Sequence, residues 1–371
     1  MDISFHHTTT YVLARLAGFQ HPEARVIAYA AQYVDDARAT GTIRFSDGTT
    51  FDRIATAHFC HLVPPEDLPE LLENYDNHLN AEALVPFHFL PGNLGLGVGQ
   101  GQAAPMINRL LCTADSEPAA HLRRACIDHR GAANQLQRLG ITAHVYADTW
   151  AHQGFLGLDH PLNRIQGLLH PAWSFSTLLQ DSESKLAGLM NVGHAMALTL
   201  PDEPFLSWGY RDRDGNLIKR DNWELFSEAA ARLVGFFLEF RGEDPAEPLR
   251  PADQDAIRNA FREITDPVPL ARQQAWLARL ATDTFSFGAL KAAELADLEY
   301  QPEGPGSWEA EALAGSGVAD PVFATSDWKH FQDAAREHRA EVMERILPAF
   351  GLALPRARPQ GSPTSVQFEL S

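Results

Sequence analysis

Cysteine is scarce here, three residues in 371, and no CxxC pair is present. Cys60, Cys112 and Cys126 cannot all pair, so they read as small core residues of a reduced protein rather than a disulfide framework. Positive charge is also short: 30 Lys and Arg stand against 48 Asp and Glu, a formal balance of −18. Long nucleic acid and anionic membranes are therefore poor partners, because phosphate binding is driven by Lys and Arg. Two explanations of the acidity stay open: a surface tuned for solubility, or a protein whose anionic ligand is held by a local cationic centre such as a metal cluster. No apolar run approaches the roughly eighteen residues of a membrane helix. The opening residues lack a basic stretch, an apolar run and a small-residue cleavage site, so a cytoplasmic protein without a transmembrane segment is expected. No GxSxG elbow is present for a serine nucleophile. The glycine-rich stretch 93–105 neither follows a strand nor opens a GKS/T turn, and it reads as a surface loop.

What the sequence does carry is helical periodicity. Residues 8–19 place apolar side chains at helical spacing and stop at Gly18. His21-Pro22-Glu23 opens a second helix, with Pro22 suited to the first helical position. Residues 42–54 alternate around Asp47-Gly48, and 210–220 around Asp214-Gly215, both hairpin signals. Helices are expected over 66–79, over 117–155 with a break at Gly140, over 182–198, and over 221–240 with an Asp221/Glu224 capping box. Two shorter helices and a long amphipathic one over 326–347 fill the C-terminal third, and 301–307 reads as a loop. The expectation is a mostly α, all-α multi-helix bundle with two small β-hairpins. It forms a single metal-binding domain over 1–350 (core motifs 5–210, helical extension 221–350), followed by a flexible tail over 354–371.

Histidine is the unusual component: sixteen residues, concentrated in the first 200 positions. Three chemistry-bearing residues are spaced His144-x3-Asp148-x3-His152. Positions four apart on an α-helix drift only about 40°, so the three form one stripe of imidazole and carboxylate, the ligands that suit Zn²⁺. A carboxylate between two histidines can bridge two ions. Ala143, Ala147 and Ala151 lie beside the stripe and let other helices approach. A buried aspartate bonded to a core histidine pair would give the same pattern without a metal. One helix cannot complete a cluster, and the further candidates are His6 and His7, Asp35 and Asp36, His58 and His61, and His194. His88, in VPFHFLPG, is a candidate for the pocket wall, though a packed aromatic turn explains it as well.

The HxxxDxxxH run followed by an aromatic, with an N-terminal histidine, an upstream aspartate and a later GH, resembles the zinc-dependent phospholipase C superfamily. That group includes bacterial phospholipase C, single-strand-specific zinc nucleases and the Het-C type proteins. The blocks FHHTTTYVLARLAGF, AYAAQYVDD, VPFHFLPG, HVYADTWAHQGF and GHAMALTLPD also resemble a poorly characterised family of bacterial and fungal proteins thought to belong there. They cover about residues 5–210. The resemblance implies that His6 matches the N-terminal histidine ligand and Asp36, or its neighbour Asp35, the early aspartate. His58, with His61 second, matches the next histidine; His144 and Asp148 match the central pair, and His152 and His194 the later ligands. It further implies two or three zinc ions that activate water against a phosphodiester. Two features depart from the pattern. Met1 stands five residues before His6, where the secreted phospholipases use a processed terminal amino group, so ligation by Met1 is not expected. Position 198 is Leu where a glutamate would fall; Asp202 is a candidate substitute ligand, although, eight residues after His194, it lies beyond the next turn of a helix. A mono- or dinuclear site is then expected.

The function expected is a metal-dependent hydrolase, with zinc before other divalent ions, acting on a small anionic or phosphoester substrate. Asp35 or Asp36 would take the proton from water. The alternatives are a metal-stabilised scaffold or interaction protein, and a His/Asp metalloenzyme of other chemistry such as an iron enzyme.

Overall fold

The computed structural model describes residues 1–57, 77–169, 192–246 and 249–354. A π-helical turn, Ser4–Thr9, runs directly into α1 (Thr10–Leu16), which ends before Gly18 at φ +91°. Helix α2 (His21–Asp36) starts with Pro22 in its first turn, and the Glu23 carboxylate accepts the Gln20 backbone N–H at 2.9 Å. The hairpin of β1 (Gly41–Arg44) and β2 (Thr50–Arg53) follows, turning at Gly48 with φ +88°. Helix α3 (Asn77–Phe87) leads to His88. The helix expected over 66–79 lies almost wholly outside the described residues, as do most of the one expected over 182–198 and nearly all of the tail.

Two helices replace the single one expected over 117–155. They are α4 (Glu117–Asp128), capped by the Ser116 side chain, and α5 (Gln135–Ala151). The break falls at 129–134, and Gly140 is interior to α5. Gly140 is there for space: a Cβ would stand 2.4 Å from the Ile27 carbonyl oxygen and 2.7 Å from Ala30 Cβ. The missing side chain lets α5 lie directly on α2. From Gln137 to Ala151 every residue of α5 is buried, so this helix is the axis of the molecule. Helices α2 and α4 pack against it.

Downstream, β3 (Ile165–Leu169), β4 (Ser207–Asp212) and β5 (Leu217–Asp221) form an antiparallel sheet in that order. The β4–β5 hairpin is the one expected around Asp214-Gly215; β3 adds a third strand. Helix α6 (Asn222–Arg241) begins at Asp221 without the expected capping bond, because the Asp221 carboxylate accepts the Ser207 hydroxyl instead. Then come α7 (Pro251–Glu263), α8 (Pro269–Leu280) and α9 (Asp327–Ala340), the last capped by Ser326 and continuing as a π-helical turn, Glu341–Ile346. Helices α6 and α9 complete the wrap around α5. The chain is mostly α-helical with two small antiparallel sheets among the described residues, and no helix there is long and apolar enough to cross a membrane.

Apolar burial explains the assembly. Phe5, Phe226, Phe261 and Trp276 pack the π-helical turn against α6, α7 and α8, and Tyr29, Tyr33, Trp308 and Phe331 join α2 to α9. Each such aromatic removes about 150–250 Å² from water.

Candidate metal centre

Helix α5 presents His144 and Asp148 one turn apart, and His152 caps its end. All three are buried, as the stripe requires. The Asp148 carboxylate is the hub: its Oδ1 lies 3.2 Å from His6 Nε2, and its Oδ2 lies 3.2 Å from His144 Nε2 and 3.5 Å from His88 Nδ1. Three donor groups surround it among the described residues: His6, His144 and Asp148; Asp35, His88 and His144; and His152, His194 and Asp202. Within each group the ligand atoms lie within 4.8 Å of one another.

The hydrogen bonds fix which nitrogen of each ring is free. A carbonyl oxygen only accepts, so a ring nitrogen bonded to one must carry the proton. His144 Nδ1 donates to Ala31 O at 2.8 Å, His88 Nε2 to Thr56 O at 2.9 Å, His152 Nδ1 to His88 O at 2.7 Å, and His194 Nδ1 to Leu198 O at 2.9 Å. In the neutral rings the opposite nitrogens are then acceptors, and they face further acceptors. His144 Nε2 and His88 Nδ1 are 3.2 Å apart, with Asp35 Oδ1 3.8 and 3.7 Å away. His152 Nε2 and His194 Nε2 lie 3.2 and 3.3 Å from the two Asp202 oxygens. Both nitrogens of His6 and the Oδ2 of Asp148 make no hydrogen bond at all. Imidazole lone pairs that converge on one another and on carboxylates fit a cation, and histidines oriented by backbone carbonyls are the usual support of a metal.

Electrostatics agree with neutral ligands. Burial pushes His6 well below the ordinary imidazole range, and holds His144 and His194 down, each to about 4. His88 is the exception: burial opposes its charge, but the Asp148 and Asp35 carboxylates raise it. For Asp148, too, burial works against ionisation; neighbouring His152 and the Met1 ammonium outweigh it and keep the carboxylate well below its usual range. Burial, only partly offset by His88, raises Asp35 to about 8.

The structure corrects several expectations about this site. Asp35, not Asp36, faces His88 and His144. Asp35 is one turn beyond Ala31, whose carbonyl receives His144, so it shares the face of α2 turned to α5. Asp36 points away, bonded to the Tyr300 hydroxyl at 2.6 Å and to Gln32 Nε2 at 3.1 Å. His7 also turns from the centre and accepts from Gln273 Nε2 at 3.1 Å. His88 is inside the donor set rather than a wall. His58 and His61 lie outside the described residues. His194 sits on a turn rather than in a helix: two 3-10 turns, Ala195–Ala197 and Leu200–Asp202, joined through Leu198 at φ +55°, bring Asp202 back to it. The helical spacing that put Asp202 out of reach does not apply. The Met1 amino group, not expected here, is buried between Asp148 Oδ1 at 2.7 Å and Asp202 Oδ1 at 3.1 Å. Burial disfavours its charge, but Asp148, Asp202 and Asp35 together raise it to about 11. A π-helical turn, Ser4–Thr9, precedes α1 and carries His6 to Asp148; the helical spacing read over 8–19 does not reveal it.

A family model matches residues 1–346, spanning the donor residues and the helices behind them. The chain belongs to the DUF6765 family, a family of unknown function. No curated protein and no solved structure matches it.

Proposed function

We propose that this protein is a metal-dependent hydrolase, with zinc the preferred ion, that cleaves a phosphoester at the centre built on Asp148. The observation that carries the reading is the convergence of carbonyl-oriented imidazoles, their opposite nitrogens turned inward, on the three carboxylates of Asp35, Asp148 and Asp202. His6, His144 and Asp148, with His88, and then His152, His194 and Asp202 would hold the ions, leaving Asp35 uncoordinated; nitrogen and carboxylate donors suit Zn²⁺. Bound there, divalent ions supply a positive field for an anionic oxygen and lower the pKa of water. The side chains do the rest. Asp35 is 31% exposed while Asp148 is 1% exposed, so Asp35 is the carboxylate placed to meet solvent and take a proton from it. Asp202 is 21% exposed. Asp148, sealed below, holds the donor groups together. The resemblance to the zinc-dependent phospholipase C superfamily supports a phosphoester as the bond cleaved, and the acidic surface supports a small substrate over a long nucleic acid.

Elemental analysis of purified protein, with hydrolysis of bis-p-nitrophenyl phosphate before and after chelation, tests the reading. Zinc in the protein and activity lost on chelation and restored by zinc are expected. Less than one ion per chain, or activity indifferent to chelation, overturns it. Zinc held tightly with no hydrolysis of any phosphoester would favour the metal-stabilised scaffold.

A further inference from the structure

The C-terminal helices contribute none of the donor atoms above, yet one of their side chains reaches the segment that does. Arg272, on α8, is 1% exposed and grips Asp2 from Nε at 2.8 Å and Nη2 at 2.6 Å. Its third nitrogen, Nη1, donates to the Asp266 carbonyl at 2.5 Å, and the guanidinium lies 5.5 Å from the Phe205 ring centre. The fork is therefore aimed before it meets Asp2. Asp2 in turn organises the chain around it. Its Oδ1 accepts the Ser4 backbone N–H at 2.9 Å and the Ser4 hydroxyl at 2.6 Å, and its carbonyl accepts the N–H groups of Phe5 and His6, each at 2.9 Å. The next residue of α8, Gln273, holds His7, and Trp276 backs Phe261, which stacks on Phe5 at 5.7 Å. Asp2 lies between the Met1 nitrogen and His6, and Phe205 lies three residues after Asp202.

We infer that Arg272 is a positioning residue for the metal centre: by clamping Asp2 it fixes His6 against Asp148. The inference rests on the metal reading of that centre. Both guanidinium bonds converge on one oxygen, Asp2 Oδ2, while Oδ1 takes Ser4, so neither carboxylate oxygen is free to turn; a lysine ammonium does not supply the same planar pair of donors. A loosened Asp2 frees the π-helical turn, and His6 has no hydrogen bond of its own to hold its ring. Loss of the clamp should then weaken the ion shared by His6 and Asp148, and leave that of His152, His194 and Asp202 in place.

Full-length wild type, Arg272→Gln, Arg272→Lys and Asp2→Asn, stripped with chelator, are titrated with Co²⁺ and read by visible absorption and elemental analysis. Arg272→Gln and Asp2→Asn are expected to bind one equivalent at least tenfold more weakly, with the remaining absorption unchanged; Arg272→Lys should recover part of the loss. Should Arg272→Gln not fold, the near-isosteric Asp2→Asn and the lysine variant carry the same comparison. Folded variants with wild-type stoichiometry, affinity and spectrum overturn the inference. So does an equal weakening of every equivalent that follows only the fall in thermal stability. Wild type that takes up no Co²⁺ or Zn²⁺ overturns the metal reading and the inference with it, and is told apart from failure of the clamp alone, in which wild type and variants bind the ions alike.

Discussion

Replacing Asp148 by Asn keeps the shape of the side chain and removes one negative charge from the centre of the donor set. That oxygen pair lies 3.2–3.6 Å from the nearest nitrogens of His6, His144, His88 and His152, so the charge serves more than one group. Two unit charges about 4 Å apart at an effective dielectric near 20 interact by about 4 kcal/mol, and a divalent ion doubles this to about 8 kcal/mol. At about 1.4 kcal/mol per decade, even the smaller figure is roughly a thousandfold in metal affinity, which is the least loss expected. His88→Ala removes one imidazole from one group only, so its loss should be smaller and confined to one equivalent. Competitive titration of both stripped variants against a zinc-binding dye, with elemental analysis after dialysis, measures the difference. Equal metal content and affinity in Asp148→Asn and His88→Ala would refute the argument that this carboxylate is shared.

Asp35→Asn is expected to lower phosphodiester hydrolysis about a hundredfold or more, whereas Asp36→Asn, whose partners are Tyr300 and Gln32, should change it little; the reverse ranking in steady-state assays would reinstate Asp36. Gly140→Ala gains up to about 1 kcal/mol of helix propensity but drives a Cβ into the Ile27 carbonyl, so urea denaturation should show a net loss of about 1–3 kcal/mol. His338 is fully buried with Nε2 bonded to the Pro86 carbonyl, and burial, then Arg138, depress its pKa well below the ordinary value. The unfolded chain takes up this proton first, so His338 adds stability above about pH 6.5 that is lost as pH falls. His338→Gln should flatten the pH dependence of unfolding of the chelated protein between about pH 4 and 7, and an unchanged slope would contradict the assignment.

The stripe on α5 was legible in the sequence because i and i+4 neighbours share a helix face whatever the rest of the chain does. So were both hairpin turns, whose Asp-Gly pairs are local chemistry, and the mostly helical class, which follows from periodicity. Other features depended on distant packing. Sequence spacing treats Asp35 and Asp36 alike, and the rotation of α2 on α5, allowed by Gly140, selects Asp35. Asp221 carried the composition of a cap, but a neighbouring strand offered the Ser207 hydroxyl and took the carboxylate first. Asp202 reaches His194 because Leu198 adopts a positive φ that no local pattern in the sequence announces. The Met1 nitrogen and His6 come to Asp148 through a π-helical turn, and Arg272 holds that turn from 270 residues away. The sequence by itself determined which side chains can bind a cation and which helix carries the central pair, because both are set by residue type and helical period. Only the tertiary structure decided which of the candidates meet, because lone pairs converge through the packing of α2, α5 and α8, and that packing is set by contacts between residues far apart in the chain.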